Sequence, residues 1–242
     1  MAIKRMRPGN GHEDLTRVLH FLPLSSVSNL AQTSAAWHAI VLKYHRSMEH
    51  DLSGGLDQLR VTVVNTVDSE RYPVGFTYQA STRASSSSLD LPPPLHRHVH
   101  VEVFKQDRTG WSVRCTEDIP ASAFIGEYVG QLVRTATMDR TSRYIVSIRE
   151  EAEDTVWRTN VDARHVGNFT RFINHSCSPN ARWDTYRSPM TFCPRIHVLS
   201  LREIKAGEEI TVDYGADHGI GSIPCHCGSD RCRRYLPFDR TL

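Results

Sequence analysis

The sequence has no long hydrophobic run and little net charge, and each absence excludes a class of protein. No stretch approaches the roughly 20 apolar residues that a transmembrane helix needs, and the N-terminus lacks the apolar segment of a secretory signal. The 242 residues include 29 Lys and Arg against 27 Asp and Glu, which leaves a net charge of +2. We therefore expect a soluble intracellular protein without a membrane partner and without direct, sequence-specific binding of nucleic acid.

Cysteine is scarce and unevenly placed, and its placement favours metal ligation over disulfide bonding. None of the six cysteines precedes Cys115, and three of them, Cys225, Cys227 and Cys232, lie within eight residues. In an intracellular chain such crowding is typical of thiolates that converge on one metal at about 2.3 Å. Cys115 and Cys193 fit no ligand pattern, and we expect both to be buried as small apolar residues.

Residues 12–50 have helical periodicity. Apolar side chains recur at i, i+3, i+4 and i+7 within residues 15–22 and again within residues 37–44. Pro23 separates the two runs, and Thr33 or Ser34 is placed to cap the last helix. The pattern predicts a short helical segment ahead of a domain of different character.

Part of this helical segment resembles an F-box, a short module that docks a ubiquitin-ligase adaptor of the Skp type. The resemblance depends on residues 18–24, Leu30-Ala31 and Ala36-Trp37, and it implies such an adaptor as a partner. A helical hairpin that packs on the rest of the chain fits the same residues. The sequence leaves both interpretations open.

From Asp51 onward the sequence changes to short strand-like runs separated by turns. Val99 to Val103 alternates apolar and polar side chains, and other apolar runs of strand length lie between turn signals. These runs are residues 60–68, 76–78, 124–133, 144–148 and 196–201. Residues 80–94 are rich in Ser and Pro and indicate a flexible or extended linker. The pattern predicts a mostly β architecture of small sheets.

Three strings in the C-terminal half have a recognisable form and order. They are Arg171-Phe-Ile-Asn-His-Ser-Cys-Ser-Pro-Asn180, Gly207-Glu-Glu-Ile-Thr-Val-Asp-Tyr-Gly215 and the Cys-x-Cys-x4-Cys cluster of residues 225–232. Together they resemble a SET domain followed by its zinc-binding post-SET segment, the fold of S-adenosylmethionine-dependent protein lysine methyltransferases. The suppressor-of-variegation branch is the nearest match, specifically over residues 96–242 and more loosely over 51–78. The implied fold consists of small β-sheets with a pseudoknot, in which a late segment threads under a loop.

The resemblance divides the chain into four regions. They are a helical, F-box-like segment (12–50), a truncated pre-SET-like region with the Ser/Pro linker (51–95), the SET catalytic domain (96–216) and the post-SET segment (217–242). Pre-SET regions of this branch bind a cysteine-rich zinc cluster, which this chain cannot form because no cysteine precedes Cys115. We therefore expect another part of the chain, such as the N-terminal helices, to support the SET core.

The resemblance implies a site for S-adenosylmethionine. Gly110-Trp111-Ser112 stands where the family has a Gly-x-Gly turn beside this methyl donor, and a serine there either alters the turn or loosens the contact. Asn174 and His175 resemble the pair that holds the amino-acid and adenine portions of the donor, with His175 acting largely through its backbone. Further donor-contacting residues implied by the family are Tyr144, Arg171 and Tyr235.

Two other interpretations of Asn174 and His175 fit the sequence less well. A polar pair beside an apolar run can simply satisfy hydrogen bonds in a core, but the ten-residue string around it favours the donor site. His175 and Cys177 could act as a hydrolytic pair, but no third group that would orient the imidazole is evident.

Tyr214 and Tyr128 are the predicted catalytic residues. A lysine amine has a pKa of about 10.4, so about one in a few thousand is neutral at pH 7, and an apolar channel favours that neutral form. The resemblance implies that Tyr214 orients the amine and that Tyr128 lines the channel. A tyrosine that merely fills a β core is the alternative for Tyr128.

Val212 and Phe172 are implied to line the same lysine channel. The family usually has Phe or Tyr at the place of Val212. Because valine removes both a hydroxyl group and much volume, we predict a pocket that accepts di- and trimethyllysine.

The resemblance also adds Cys177 to the three C-terminal cysteines. In the family the corresponding four thiolates hold one zinc ion, here Cys177, Cys225, Cys227 and Cys232. Four protein ligands leave no open position, so this zinc would be structural and would pin the tail over the pocket. His226, between two of the ligands, is expected to be exposed.

The nearest branch implies lysine 9 of histone H3 as the default substrate and nuclear chromatin as the setting. Ser147 and Arg149 stand where the family often has acidic residues near the substrate peptide, which limits how far this preference transfers. The rival interpretation is a binding protein, an F-box-like adaptor whose SET domain turns over poorly. Ser112 and Val212 favour the rival, whereas the retained tyrosines and zinc ligands favour the enzyme.

Overall fold

The computed structural model describes residues 24–48, 51–70, 73, 75–82, 97–152, 155–187, 194–215 and 220–237. The chain divides into two compact units, Met1–Asp51 and Leu52–Leu242. The first predicted helical run, most of the Ser/Pro linker and Cys193 lie outside the described residues.

The first unit contains two helices, α1 (Leu24–Ala31) and α2 (Ala35–Met48). Ser34 caps α2 as predicted, because its Oγ accepts a hydrogen bond of 3.2 Å from the backbone N–H of Trp37. Val41 is buried against Leu30 and Trp37, so the periodic face of α2 packs on α1. Neither helix in this described stretch is long and apolar enough to cross a membrane. The F-box interpretation of the segment stays a prediction.

The second unit is built almost entirely of short strands. They are β1 (Val61–Val64), β2 (Thr77–Tyr78), β3 (Val101–Gln106), β4 (Gly110–Cys115), β5 (Phe124–Glu127), β6 (Gln131–Val133), β7 (Ile145–Ala152), β8 (Thr155–Asp162), β9 (Val166–Gly167), β10 (Asn174–His175), β11 (Ala181–Arg187), β12 (Pro194–Ser200), β13 (Thr211–Val212), β14 (Ile220–Pro224) and β15 (Tyr235–Pro237), with a 3-10 turn at Phe169–Phe172. The described strands form sheets β1-β3-β4, β11-β12-β5 and β6-β8-β7 and the pairs β10-β13, β14-β15 and β2-β9. This arrangement confirms the predicted mostly β architecture of small sheets.

The main core follows from the alternation of side chains along β1, β3 and β4. Val61, Val101, Val103 and Val113 are each at most 2% exposed, because alternate residues of a strand face the same side of its sheet. Burying a valine side chain stabilises a fold by about 1.5–3 kcal/mol, so these four residues account for much of the packing on this side of the site. Cys115 ends β4 in the same core and is fully buried, as predicted.

Residues within 57–70 contact the first strands of the SET-like core directly. Strand β1 pairs in parallel with β3, Val61 lying opposite Val101. The side chain of Arg97 donates to the carbonyl of Val99 at 2.9 Å and forms an ion pair with Asp57. Lys105 on β3 likewise forms an ion pair of 2.6 Å with Asp68. Backbone pairing and ion pairs therefore tie this segment directly to the core.

Candidate active site

Two motifs that lie far apart in the sequence run side by side in the structure. Strand β10 pairs in parallel with β13, so that Asn174 lies opposite Thr211 and His175 opposite Val212. Asn180 secures the pairing, since its Oδ1 accepts from the N–H of Thr211 at 2.9 Å and its Nδ2 donates to the carbonyl of Glu209 at 2.8 Å. The ten-residue motif and the Asp-Tyr-Gly motif thus form one site.

The hydroxyl of Tyr214 lies inside this site although 43% of the residue as a whole is exposed. It donates a hydrogen bond of 2.7 Å to the carbonyl of Ile173, and the backbone N–H of Tyr214 donates to Nδ1 of His175 at 3.1 Å. Burial raises the pKa of Tyr214, and the nearby Tyr144 and Glu209 raise it further. The hydroxyl is therefore a fixed, protonated group at neutral pH.

Tyr128 lies in a different motif, and its hydroxyl is also held by a hydrogen bond to a backbone carbonyl. It is 5% exposed, and its hydroxyl donates to the carbonyl of Tyr144 at 2.7 Å. Burial raises its pKa well above the ordinary value, with a further increase from the neighbouring Tyr214. Its ring also packs edge to face on Trp183, with centroids 5.2 Å apart. Tyr128 thus packs in an apolar cluster, and its role in a lysine channel stays a prediction.

Arg171 occupies the centre of an aromatic cluster. Its guanidinium lies 4.0 Å from the ring centroid of Tyr144, 4.5 Å from that of Phe76 and 4.8 Å from that of Phe172. Its Nε donates to the carbonyl of Ala163 at 2.9 Å. Burial lowers the pKa of Arg171, while the neighbouring tyrosines oppose this change. Arg171 therefore holds the ring of Tyr144 in place, and direct contact with a methyl donor stays a prediction.

The predicted donor-binding residues Trp111, Ser112 and Asn174 come together. Asn174 Nδ2 lies 2.7 Å from Ser112 Oγ and 3.5 Å from the carbonyl of Trp111. Gly110, with φ of +72°, supplies the left-handed backbone at the start of β4, whereas Ser112 lies opposite Phe104 within the strand. Ser112 is fully buried. It needs no altered turn, because the residue with the positive φ that favours glycine is Gly110.

Val212 and Phe172, which the resemblance places along the channel, both lie in the main core. Val212 is fully buried and Phe172 is 5% exposed. The ring of Phe172 meets that of Phe76 edge to face at 5.6 Å. Their position beside β10 and β13 puts them next to the site, and their contact with a substrate lysine stays a prediction.

His175 connects the tyrosine to the cysteine cluster. Its side chain is 1% exposed, with Nδ1 toward Tyr214 and Nε2 3.4 Å from the Sγ of Cys177. Burial lowers the pKa of His175, and the charge of Arg233 adds to this effect while Asp213 opposes it. Both ring nitrogens of His175 therefore have partners within the protein. Contact of His175 with a donor through its backbone, as the family implies, stays a prediction.

Four cysteines converge at the C-terminal side of the site. The sulfur atoms of Cys177, Cys225, Cys227 and Cys232 all lie within 4.8 Å of one another. The distance between the sulfurs of Cys177 and Cys225 is 3.9 Å, close to the spacing of about 3.8 Å that tetrahedral bonds of 2.3 Å require. None of the four forms a disulfide bond. The donor set and its spacing fit zinc, with Cys177 as the predicted fourth ligand.

Arg233 joins the cysteine segment to the catalytic motif. Its backbone N–H donates to the Sγ of Cys177 at 3.3 Å, and its guanidinium forms an ion pair of 2.7 Å with Asp213. Tyr235, two residues later, begins β15 opposite Pro224 and is 43% exposed. His226 is exposed, as expected. No role for Arg233 was predicted from the sequence. Its position two residues before Tyr235, which is predicted to bind the donor, is consistent with a tail that docks on the site.

Comparison with known proteins identifies a SET domain and its fold. Residues 110–215 match the model of the SET domain. Human histone-lysine N-methyltransferase SETMAR is 33% identical over 166 residues, which cover 59% of this chain and 24% of that protein. The crystal structure of its methyltransferase domain has a TM-score of 0.65 at 22% identity, covering 78% of this chain and 98% of that domain.

Two further crystal structures share the fold. Arabidopsis thaliana SUVH6 in complex with SAM has a TM-score of 0.64 at 24% identity, covering 77% of this chain and 55% of that one. KRYPTONITE in complex with mCHH DNA, an H3(1-15) peptide and SAH also has a TM-score of 0.64 at 24% identity, covering 77% and 53%. The domain match, the shared fold and the paired motifs agree that residues 110–215 of this chain form a SET domain.

Proposed function

We propose that this protein is a lysine methyltransferase that uses S-adenosylmethionine and modifies a histone or another lysine-containing protein. The observation that carries the proposal is the pair of enclosed tyrosine hydroxyls, Tyr214 bonded to the carbonyl of Ile173 and Tyr128 bonded to that of Tyr144. The crystal structure of SUVH6 with SAM and the name of human SETMAR support the donor and the reaction class.

The chemical difficulty of the reaction lies in the protonated amine of lysine. At pH 7 only about one lysine in a few thousand is neutral and able to act as a nucleophile. Apolar surroundings such as Val212 and Phe172 destabilise the ammonium form and so lower the pKa of an enclosed lysine. In this proposal the apolar core beside β10 and β13 would supply such surroundings.

The residues of this chain would act mainly by alignment. S-adenosylmethionine, when bound, supplies an electrophilic methyl group on a positively charged sulfur. The hydroxyls of Tyr214 and Tyr128 and the carbonyls that they contact would hold the amine of lysine in one orientation. Because burial raises the pKa of Tyr214, this residue stays protonated, and the proton of lysine leaves to water.

Zinc would be held by Cys177, Cys225, Cys227 and Cys232 in a structural role. The ion would fix residues 225–232 beside β10. Through Arg233 and its ion pair with Asp213, the same segment is tied to the residue that precedes Tyr214. Loss of zinc would therefore disturb the catalytic motif as well as the tail.

Histone H3 is the first substrate to test, with lysine 9 as the proposed position and nuclear chromatin as the setting. The complex of KRYPTONITE with an H3(1-15) peptide supports the choice of histone. Arg149, at the place where the family often has an acidic residue, forms an ion pair of 2.7 Å with Glu151. The small Val212 supports multiple methylation, and a product that is strictly monomethyllysine would contradict that part of the proposal.

The test is transfer of a labelled methyl group from S-adenosylmethionine to purified histones. We expect label in histone H3 with the wild-type chain and a greatly reduced rate with Tyr214→Phe. The rival interpretation, an F-box-like binding protein that contacts a Skp-type adaptor through residues 12–50, predicts little or no transfer. Folded, zinc-loaded protein that labels neither histones nor other lysine-containing proteins would reject the enzyme and favour this rival.

A further inference from the structure

A closed ring of hydrogen bonds surrounds the side-chain amide of Asn174. Its Nδ2 donates to Ser112 Oγ at 2.7 Å and to Glu209 Oε1 at 3.0 Å. Gln106 Nε2 donates to the same two side chains, at 2.9 Å to Ser112 Oγ and at 2.9 Å to Glu209 Oε2. The four hydrogens of the two amide groups are thus shared equally between two acceptors.

The ring determines which atom of the Asn174 amide faces away from it. If the amide turned over, Oδ1 would replace Nδ2 beside the carboxylate of Glu209, and two acceptors would face each other without a hydrogen. The observed orientation therefore directs Nδ2 into the ring. Oδ1 remains as a hydrogen-bond acceptor that can meet a ligand.

Ser112 is the member of the ring that a glycine could not replace. It is fully buried, and its hydroxyl accepts one hydrogen from Asn174 and one from Gln106. Without this oxygen Gln106 would lose the acceptor for one amide hydrogen, and the corresponding hydrogen of Asn174 would keep only the carbonyl of Trp111 at 3.5 Å, in a partly buried place, which is costly. The hydroxyl therefore has a role that the turn at Gly110 does not explain.

The ring also joins three separate segments of the site. Gln106 and Ser112 belong to the β3-β4 hairpin, Asn174 begins β10, and Glu209 lies two residues before β13. A change in any one of them would alter the position of Asn174 relative to Trp111. None of this could be read from spacing, because Gln106 and Glu209 are 103 positions apart.

We propose that Ser112, Gln106 and Glu209 are positioning residues, which hold the amide of Asn174 in a single orientation for recognition of the methyl donor. The inference rests on the proposed function, because it assigns Asn174 to the donor site. An amide that is already oriented loses little conformational freedom when the ligand arrives, so the ring should strengthen donor binding. It should contribute little to binding of the protein substrate.

The test measures binding of S-adenosylhomocysteine to the full chain by titration calorimetry, together with steady-state kinetics. For Ser112→Ala we expect about tenfold weaker binding and a similar rise in the KM for the donor, because a buried donor group loses its acceptor. The KM for the histone should stay unchanged. Glu209→Gln should weaken donor binding in the same direction, because an amide nitrogen then meets another amide nitrogen.

Ser200→Ala is the matched control. Ser200 is 1% exposed, and its hydroxyl donates to the carbonyl of Pro120 at 2.6 Å and accepts from the N–H of Ala123 at 2.8 Å. This variant should lose stability to a similar extent and keep its affinity for S-adenosylhomocysteine. The comparison separates positioning of Asn174 from a general loss of buried hydrogen bonds.

The two proposals fail in different ways. Wild-type protein that binds S-adenosylhomocysteine but transfers no methyl group to any histone would contradict the proposed function alone. Equal affinities in wild type, Ser112→Ala and Glu209→Gln would overturn the positioning role alone. Should Ser112→Ala fail to fold, the affinity of Glu209→Gln decides the question by itself.

Discussion

The hydroxyl of Tyr214 is the catalytic group that can be removed with the least change of shape. Tyr214→Phe deletes one oxygen atom and the 2.7 Å hydrogen bond to the carbonyl of Ile173. A buried carbonyl that loses its partner costs about 1–3 kcal/mol. Because part of Tyr214 is exposed, water can recover some of this loss, and we expect the free energy of unfolding to fall by about 1 kcal/mol.

The effect on the reaction should be larger and confined to turnover. If the hydroxyl orients the amine of lysine, it acts mainly in the transition state, and a loss of about 1.4–2.8 kcal/mol there lowers kcat by about 10- to 100-fold. The KM for the methyl donor should change little, because Asn174 and Ser112 are untouched. Tyr186→Phe is the control, since Tyr186 is also 43% exposed but stacks on His197 in another sheet.

The pH profile separates orientation from proton abstraction. Burial raises the pKa of Tyr214, so the hydroxyl holds its proton through the neutral range, and the rate should rise with pH because the substrate amine is deprotonated. Tyr214→Phe should therefore show the same rise at a lower rate. Kinetics of both proteins between pH 6 and 9 decide the matter. A profile that becomes flat in the variant would refute the reasoning and identify Tyr214 as a base.

Three other predictions follow from neighbouring parts of the structure. Cys232→Ser should bind less zinc by elemental analysis, melt at a lower temperature and lose activity; full activity without zinc would show that the cysteine segment is dispensable. Arg171→Met should lower the free energy of unfolding in urea by about 2–4 kcal/mol, because the carbonyls of Ala163 and Arg164 and three aromatic rings lose their cation; a loss below about 1 kcal/mol would contradict this role. The ion pair with Arg202 lowers the pKa of Glu208 from 4.5 to about 2, so its stabilising effect is present above pH 4.5 and is lost as the pH falls toward 2. Unfolding of Glu208→Gln should accordingly depend less on pH in that window than unfolding of the wild type, and identical pH dependence would refute the assignment.

The structural features that the sequence could predict depend on the alternation of apolar residues along a strand or on residues that are neighbours in the chain. Val101 and Val103 face the core because strand side chains alternate, and Ser34 caps α2 because it directly precedes the helix. The single apolar run 124–133 nevertheless became two strands. Gly130 lies where a Cβ would come within 2.7 Å of the backbone of Asp162, so the absence of a side chain allows the chain to pass this close to β8. Periodicity contains no information about that approach.

The candidate active site likewise has some features that the sequence could predict and others that it could not. The family motifs predicted that Asn174, Tyr214 and the four cysteines belong together, and the structure places them so. The roles of Gln106, Glu209 and Arg233 could not be predicted, because each acts through a side-chain contact with a residue distant in sequence. The contact of Arg171 with the donor stays a prediction. The contacts of its guanidinium with three aromatic rings could not be predicted, because the spatial order of those rings is set only by folding.

Mass spectrometry of histone H3 after incubation with the zinc-loaded full chain and S-adenosylmethionine tests the central claim most directly. The account predicts one or more methyl groups on a lysine side chain, found at a much lower level when Tyr214→Phe replaces the wild type. Unmodified lysines after incubation with folded protein that binds S-adenosylhomocysteine would contradict it.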